Sequence, residues 1–413
     1  YMLWDESADD LKLVGAAGLT VAGDADIDGT LETDNLTIGD SQGSDGQVLT
    51  STGSGVGWED ASGASDIDGL SDALVEDNSV YLGNDPSGTT STASYNVAVG
   101  TTAMDAVTTA DRNVAVGYNA ATAVTTGIYV TAIGSNALEA STTQHNNTAV
   151  GTYAGYACTG AENTFIGSEA GHYATSCDKS VVIGYTAVGL GVMTGNDNTA
   201  IGQDAGMDLT SGYSNTFIGS GAGANVTTGY KNIAVGYGAL VTGTDMDYNI
   251  AIGYSALANG SVSGDNNIGI GYLAGDQITS GASNTIVGHQ AGKALTEGDK
   301  NVCLGYMTGD SITSGDMNIA IGHETTLSSA VTGDNNVAIG PGCLYANTSG
   351  SHNVAIGTSG LTAHSSGDDN IGIGYLAGYA LENGRESVSI GRGAAEDAST
   401  AEYFVSIGGW AGG

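Results

Sequence analysis

The side chains best suited to metal chemistry in this chain are six histidines that occupy different positions of the sequence pattern. They are His145, His172, His289, His323, His352 and His364. Ligating histidines must converge within about 2 Å of one ion. His289 and His323 each follow a recurring glycine, but they lie two repeats apart, or about 10 Å if each repeat adds one strand to a stack. We therefore interpret the histidines as structural or solvated residues and predict no metal site.

Aspartates gather in turns that could offer oxygen ligands to calcium. Such turns occupy residues 264–267 (Gly-Asp-Asn-Asn), 333–336 (Gly-Asp-Asn-Asn) and 367–370 (Gly-Asp-Asp-Asn). The sequence lacks the full Gly-Gly-x-Gly-x-Asp pattern of calcium-binding solenoids. We favour Asx-type turns, in which the side chain bonds to nearby backbone, and keep a calcium-binding solenoid as the sharper alternative.

Catalysis would need a nucleophile or carboxylate with a distinct neighbour, but each candidate Ser or Asp lies in a repeated turn. Gly-rich strings such as residues 219–223 lack the lysine of a phosphate-binding loop. Cys303 and Cys343 replace Ala in the repeat and are predicted to be small buried residues, while Cys158 and Cys177 are left unassigned. We predict no enzyme activity and no cofactor, with a glycan-cleaving solenoid as the alternative.

Composition narrows the class of protein further. The 413-residue chain contains 68 Gly but only 3 Phe, 3 Trp and 2 Pro, so a large conventional core is not expected. Its formal net charge of −37 argues against a nucleic-acid partner and disfavours docking on anionic membranes. No apolar run approaches the ~18 residues of a spanning helix, and no basic or apolar leader precedes the first element, so no membrane insertion is predicted.

The elements that position these residues come from a repeat that begins at Asn96. Its signature is Asn-Φ-x-Φ-Gly, with Φ apolar or Thr, and it recurs every 17 residues apart from three intervals of 18 and one of 16. The nineteen closing glycines are Gly100, Gly117, Gly134, Gly151, Gly167, Gly184, Gly202, Gly219, Gly236, Gly253, Gly271, Gly288, Gly305, Gly322, Gly340, Gly357, Gly374, Gly391 and Gly408. A fixed period of this length indicates a solenoid.

Each unit contains bulky residues on either side of a small one, usually Ala, and this period of two predicts a short strand. A second small residue follows three positions after each glycine, from Ala103 to Ala411. We predict strand, turn, second short strand and turn in each coil, with stacking that buries the Val and Ile side chains. The predicted fold class is all-β, a parallel β-solenoid of about nineteen coils and roughly 90 Å.

The recurrent asparagine is predicted to form a side-chain amide ladder that fixes register and satisfies turn backbone. The structural repeat residues are typified by Asn96, Gly100, Asn113, Gly117, Asn215, Gly219, Asn249, Gly253, Asn318, Gly322, Asn353 and Gly357. The persistent small positions suggest close approach of backbones from other chains, and hence a homotrimer. Alternatively, they line a narrow single-chain solenoid.

Seven tyrosines directly follow signature glycines. They are Tyr118, Tyr185, Tyr237, Tyr254, Tyr272, Tyr306 and Tyr375. Their common phase favours packing between coils, and stacking on sugars is the alternative.

Two units carry a family resemblance. Residues 249–257 (Asn-Ile-Ala-Ile-Gly-Tyr-Ser-Ala-Leu) and 353–357 (Asn-Val-Ala-Ile-Gly) resemble the repeats in the heads of YadA-type trimeric autotransporter adhesins, and the 17-residue period resembles repeats of phage tail-fibre proteins. The resemblance covers about residues 96–413 and implies a trimeric, left-handed parallel β-roll. Adhesin heads generally use shorter coils, so the turns of this chain depart from that pattern.

Residues 1–95 do not follow the period. Residues 19–40 alternate like short strands between Gly and Asp turns, and residues 66–76 predict a brief helix or turn with Leu70, Leu74 and Val75 able to meet at an axis. Residues 43–58 resemble segments of phage fibre and baseplate-associated proteins. We divide the chain into a β-rich attachment or shaft region (1–62), a connector (63–95) and a β-roll (96–413).

Together these patterns predict a structural fibre or shaft component of a phage virion (tail or head fibre), exposed on the virion surface and involved in host attachment. Expected partners are further copies of the chain in a homotrimer, other fibre or baseplate proteins, and a host surface glycan or receptor. The alternatives are a trimeric adhesin on a bacterial cell surface and a glycan-binding or glycan-cleaving solenoid.

Overall fold

The structure, a computed structural model, describes short segments before residue 61 and longer ones after it. The described residues are 2–5, 10–13, 37–38, 41–42, 47–51, 56–60, 73–83, 86–259, 263–325, 331–399 and 402–412. The chain divides into two units, Tyr1–Gly69 and Leu70–Gly413.

The first unit contains antiparallel strand pairs. They are β1 (Met2–Asp5) with β2 (Asp10–Leu13), β3 (Thr37–Ile38) with β4 (Ser41–Gln42), and β5 (Gln47–Ser51) with β6 (Val56–Asp60). The Gly-rich and Ser-rich segment 43–58 thus contributes to a hairpin in which Leu49 pairs with Trp58. Of the strands predicted over 19–40, only Thr37–Ile38 lies within the described residues.

The second unit opens with a hairpin of β7 (Ala73–Glu76) and β8 (Ser79–Leu82), followed by a 3-10 turn at Pro86–Gly88. Asp77 and Asn78 have φ of 44° and 61°, the positive angles of a two-residue hairpin turn. The helix or turn predicted over 66–76 is wrong at its described end, because this Asp-Asn turn pairs 73–76 as a strand. Residues 66–72 lie outside the described residues.

Nineteen three-residue strands follow, one in each coil. They are β9 (Val97–Val99), β10 (Val114–Val116), β11 (Thr131–Ile133), β12 (Thr148–Val150), β13 (Thr164–Ile166), β14 (Val181–Ile183), β15 (Thr199–Ile201), β16 (Thr216–Ile218), β17 (Ile233–Val235), β18 (Ile250–Ile252), β19 (Ile268–Ile270), β20 (Thr285–Val287), β21 (Val302–Leu304), β22 (Ile319–Ile321), β23 (Val337–Ile339), β24 (Val354–Ile356), β25 (Ile371–Ile373), β26 (Val388–Ile390) and β27 (Val405–Ile407). From β8 to β27 each strand pairs in parallel with the next, so that, for example, Ala115 lies opposite Ala132. The predicted all-β parallel solenoid is confirmed.

The predicted second strand of each coil is wrong for the described coils. The segment concerned bonds to the next coil, as in Thr108 N–H to the carbonyl of Thr125 (3.0 Å), but it consists of turns, with one isolated bridge between Ile312 and Val331. Hydrogen bonds between turns, and not a strand ladder, hold the coils together there.

Positive φ angles produce the tight corners of each coil. The signature Gly117 has φ 134°, and a Cβ on it would lie 2.6 Å from the carbonyl oxygen of Gly134 in the next coil, so only glycine fits. The residue before each repeat asparagine also has positive φ, between 55° and 63°, yet it is never glycine; Lys231 and Tyr248 are examples. Because that left-handed conformation disfavours L-residues, the stacked coils must impose it.

The three strand residues divide between the inside and the outside of the coil. The middle residue is buried, as Ala115 and Ala132 are, while the two flanking residues point outward and remain partly exposed. The expectation that stacking buries Val and Ile is therefore wrong, because these residues lie on the outer face. The small positions line the single chain's own interior, which confirms the alternative interpretation of them.

The interior is filled by residue pairs whose sizes compensate. Phe217, in the middle of β16, lies between Gly206 and Gly223, and a Cβ on Gly223 would lie 2.6 Å from Cδ1 of Phe217. The reverse occurs in β19, where a Cβ on Gly269 would lie 2.7 Å from Cγ of Leu257. This exchange of large and small residues keeps a coil of fixed width close-packed.

Candidate functional site

The repeat asparagines form a buried column that is unbroken from Asn198 to Asn370; Val130, Ser180 and Ser387 take the same position in other coils. The backbone N–H of Asn284 donates to Oδ1 of Asn267 in the preceding coil (3.0 Å), Oδ1 of Asn284 accepts from the N–H of Asn301 (2.8 Å), and its Nδ2 donates to the carbonyl of Gly298 (2.9 Å). Asn96, Asn113, Asn215, Asn249, Asn318 and Asn353 occupy this column, and Gly100, Gly117, Gly219, Gly253, Gly322 and Gly357 close their strands. These residues are structural, because their polar groups bind backbone.

A second polar column runs through the Asp-rich turns. The N–H of Asp299 donates to a carboxylate oxygen of Asp316 (2.7 Å), and the N–H of Asp316 donates to Asp334 (2.8 Å). Asp265 accepts from the N–H of Asp247 (2.8 Å) in the same way. The aspartates cap the backbone of the preceding coil, whereas an Asx turn would bind its own, and this orientation commits one oxygen of each to a structural bond.

The histidines are dispersed over several environments. His289 and His323 stack on opposite sides of Tyr306, each with ring centroids 5.1 Å apart, and His172 stacks on Tyr173 at 4.4 Å. Their rings therefore serve as stacking partners. Among the residues that the structure describes, no three His, Cys, Asp or Glu side chains come close enough to hold a metal ion.

Two further histidines bind backbone, and one lies at a turn. His145 accepts a hydrogen bond from the N–H of Ile128 (3.0 Å). His364 is buried between the carbonyls of Leu381 (3.2 Å) and Gly367 (2.7 Å). His352 has positive φ (61°) in the turn before its repeat asparagine.

All four cysteines are buried free thiols, which confirms the prediction for Cys303 and Cys343. Burial raises the pKa of Cys303, in the middle of β21, to about 12. Cys158 and Cys177, unassigned from sequence, are partners across adjacent coils, and their shared hydrogen bond together with burial raises the pKa of Cys177. Sequence spacing gave no signal for this pair.

Aromatic rings stack along the outside of six successive coils. This aromatic column comprises Tyr237, Tyr254, Tyr272, His289, Tyr306 and His323, each directly after a signature glycine. Neighbouring ring centroids lie 4.9 to 5.4 Å apart with interplanar angles of 12° to 18°. The predicted packing of these tyrosines between coils is confirmed. Tyr118 and Tyr185 are not part of such a stack, because the next coil has Ser135 or Gln203 at the equivalent position.

Cationic side chains also take places between stacked rings on the surface. Arg112 lies between Tyr95 (5.4 Å from its guanidinium carbon to the ring centroid) and Tyr129 (5.9 Å). Arg392 lies between Tyr375 (5.6 Å) and Trp410 (5.4 Å). These cation–π contacts show that a guanidinium can take the place of a ring at these two positions.

The outer face of the parallel sheet carries a second, apolar column. The third strand residue points outward and is Val, Ile or Leu in all nineteen coils: Val99, Val116, Ile133, Val150, Ile166, Ile183, Ile201, Ile218, Val235, Ile252, Ile270, Val287, Leu304, Ile321, Ile339, Ile356, Ile373, Ile390 and Ile407. Ile252, near the middle, is 38% exposed. Val99, Ile133, Ile166, Ile218 and Ile407 are likewise more than a third exposed, and a long exposed apolar surface of this kind marks an interaction site.

Comparison with models of protein families gives no match to this chain, and comparison with curated proteins gives none at the required significance. In the described part of the chain, no helix combines the length and apolarity of a membrane span.

Proposed function

We propose that this protein is a trimeric shaft of a phage virion fibre, which spaces or presents attachment to the host cell. The observation that carries the proposal is the apolar outer column, which has no polar interruption over nineteen coils. Burying an exposed column of this size is favourable at about 25 cal/mol per Å². A second copy of the chain presents an apolar column of the same length and spacing. It is therefore a partner that can cover this column along its whole length.

Charge supports self-association through this face. The chain carries a net charge of −37, so identical copies repel each other over most of their surface. The apolar column is free of charged residues, so copies can meet there without bringing carboxylates together. The number three comes from the resemblance to trimeric β-rolls, as does the role in attachment.

The assembly is tested by light scattering on the whole chain. We expect a mass about three times the 40.9 kDa of one chain. The double variant Ile252→Asp with Ile270→Asp places two charges in the column and should give single chains. A matched variant, Asn225→Asp with Thr228→Asp, adds two charges at exposed turn positions and should stay trimeric. A wild-type mass of one chain would refute the trimer.

The fibre role is tested by electron microscopy with a gold-labelled antibody against residues 96–413. Label along fibres of phage particles would support the proposal. Label on the surface of uninfected bacteria would instead favour the adhesin.

A further inference from the structure

The aromatic column ends at Tyr237, beside a surface notch of about 330 Å³. The notch is lined by Asp204, Ser220, Gly221, Tyr237 and Gly238, among others. Ser220 holds the position that a ring would take if the column continued by one more coil. The notch therefore lies where the next ring of the aromatic column would be.

Two glycines create the space. Gly221 and Gly238 take the second position after the signature glycine, where other coils have side chains such as those of Asn119, Tyr153 and Ser255 at similar positive φ. A Cβ on Gly221 would find no atom within 4 Å. The opening is thus set by residue choice and not by backbone geometry.

One face of the Tyr237 ring is open to this notch. Its other face stacks on Tyr254 at 5.4 Å, and the free face is turned toward the coil of Ser220. Accordingly Tyr237 is 61% exposed, against 50% for Tyr254. Asp204 lies one coil beyond Ser220 on the opposite side. A group at the level of Ser220 would therefore meet an aromatic face on one side and a carboxylate on the other.

We propose that this notch binds the guanidinium group of an arginine side chain from a partner protein, stacked on Tyr237 and paired with Asp204. The chain supplies its own precedent, because Arg392 directly follows a signature glycine, as Ser220 does, and lies over Tyr375 of the preceding coil at 5.6 Å. The net charge of −37 steers a basic segment toward the surface.

The geometry favours guanidinium over other cations. A guanidinium is planar, so it continues a column of nearly parallel rings, and its fork of N–H donors matches a carboxylate. The partners of Asp204 are neutral: its oxygens accept from the hydroxyl of Thr186 and from Nε2 of Gln203 (3.1 Å). Among the described residues the carboxylate therefore has no cationic partner, and it keeps further lone pairs for an incoming donor.

The test is equilibrium binding of trifluoroacetyl-Gly-Arg-Gly-amide to the whole protein, followed by fluorine NMR at moderate salt. Gly221→Tyr fills the notch with a side chain that Tyr153 places at the equivalent positive φ, and Tyr237→Ser removes the stacking face. Each should weaken binding by roughly fivefold or more, the effect of losing one cation–π contact. The Lys peptide should bind the wild type more weakly than the Arg peptide.

The matched control is Gly342→Tyr, which adds the same side chain at the same repeat position of a distant coil (φ 67°, as at Gly221) and should bind like the wild type. None of these three substitutions changes the charge, so non-specific attraction of the peptide is the same in all. Equal binding to the wild type and Gly221→Tyr would overturn the proposal. So would binding of methyl glucoside that depends on Gly221 and Tyr237 without binding of the Arg peptide. Circular dichroism and oligomeric mass verify that each variant is folded.

Discussion

The inner and outer faces of the same three-residue strands follow opposite size rules. Inside, the middle residue is small in most coils, and where it is large, as at Phe217, glycines make room for it. Outside, the third residue is large and apolar in every coil, although Ile252 and its equivalents touch water. A soluble single chain would be expected to do the reverse, with large apolar residues inside.

The difference shows that the width of the coil, and not hydrophobicity alone, determines which residues lie inside and which lie outside. A seventeen-residue coil encloses a narrow interior, in which a Cβ on Gly223 would already meet the ring of Phe217, so volume limits it. The outer face has no such limit. The assembly proposed above would cover the large apolar residues that lie there.

The largest effect that tests the inner rule is expected from Phe217 and Gly223. Gly223→Leu inserts a side chain against the Phe217 ring, where even a Cβ would lie 2.6 Å from Cδ1, and should cost more than about 3 kcal/mol. Phe217→Ala opens a cavity and should cost about 3–5 kcal/mol. Local unfolding free energies from hydrogen exchange in residues 202–236 measure both, since a long repeat does not unfold in two states.

The double variant Phe217→Ala with Gly223→Leu decides whether volume is the cause. It recreates the residue types of the next coil, in which Ala234 is the middle strand residue and Leu240 holds the repeat position of Gly223 with nearly the same φ (56° against 61°). We expect recovery to within about 1.5 kcal/mol of the wild type, as for volume-conserving core exchanges. Additive losses in the double variant would contradict the idea that volume decides which residues the interior accepts.

A second prediction concerns the asparagine column. Asn284→Leu removes an acceptor for the N–H of Asn301 and a donor to the carbonyl of Gly298, which leaves buried polar groups unpaired. The expected cost is about 3 kcal/mol, read from exchange protection of Asn301 and its neighbours.

Asn284→Ser is the milder control for this column. Ser180 holds the column position naturally, and its hydroxyl accepts from the N–H of Asn198 (3.3 Å). Asn284→Ser should therefore cost less than half as much as the leucine variant. Equal losses in both variants would mean that side-chain volume, and not hydrogen bonding, maintains this column.

The sequence was sufficient for the period, the parallel sheet and the repeat positions of the asparagines and tyrosines, because each depends on spacing alone. It did not settle which strand face is inside, since alternation defines two faces without orienting them, and bulk usually marks the interior. A usable signal existed in Phe165, which has Gly155 and Gly171 at the facing positions. The sequence carries no signal for the positive φ at Lys231 or Tyr248, because the neighbouring coils impose that conformation.

The inner face also contains one histidine whose titration should distinguish it from the outer surface. His364 is fully buried, and burial lowers its pKa below the ordinary 6.5, against the opposing effect of its contacts with the carbonyls of Gly367 and Leu381. Asn347 lies at the repeat position equivalent to that of His364, ten residues before the next signature glycine. Its Nδ2 donates to the carbonyl of Gly350 (3.1 Å). His364→Asn therefore removes the titrating ring while keeping a side chain that the coil accepts.

The smallest predicted effect is a loss of stability around His364 as the pH falls below 6.5. Above that pH the ring is neutral in both states; below it the unfolded chain takes up a proton that the folded chain resists, so the fold loses at most about 1.4 kcal/mol per pH unit. Exchange protection of residues 357–374, corrected for intrinsic rates, should fall between pH 6.5 and 5 in the wild type and stay level in His364→Asn. A parallel fall in both would assign the pH dependence to the carboxylate columns, because His364 would then contribute nothing to it.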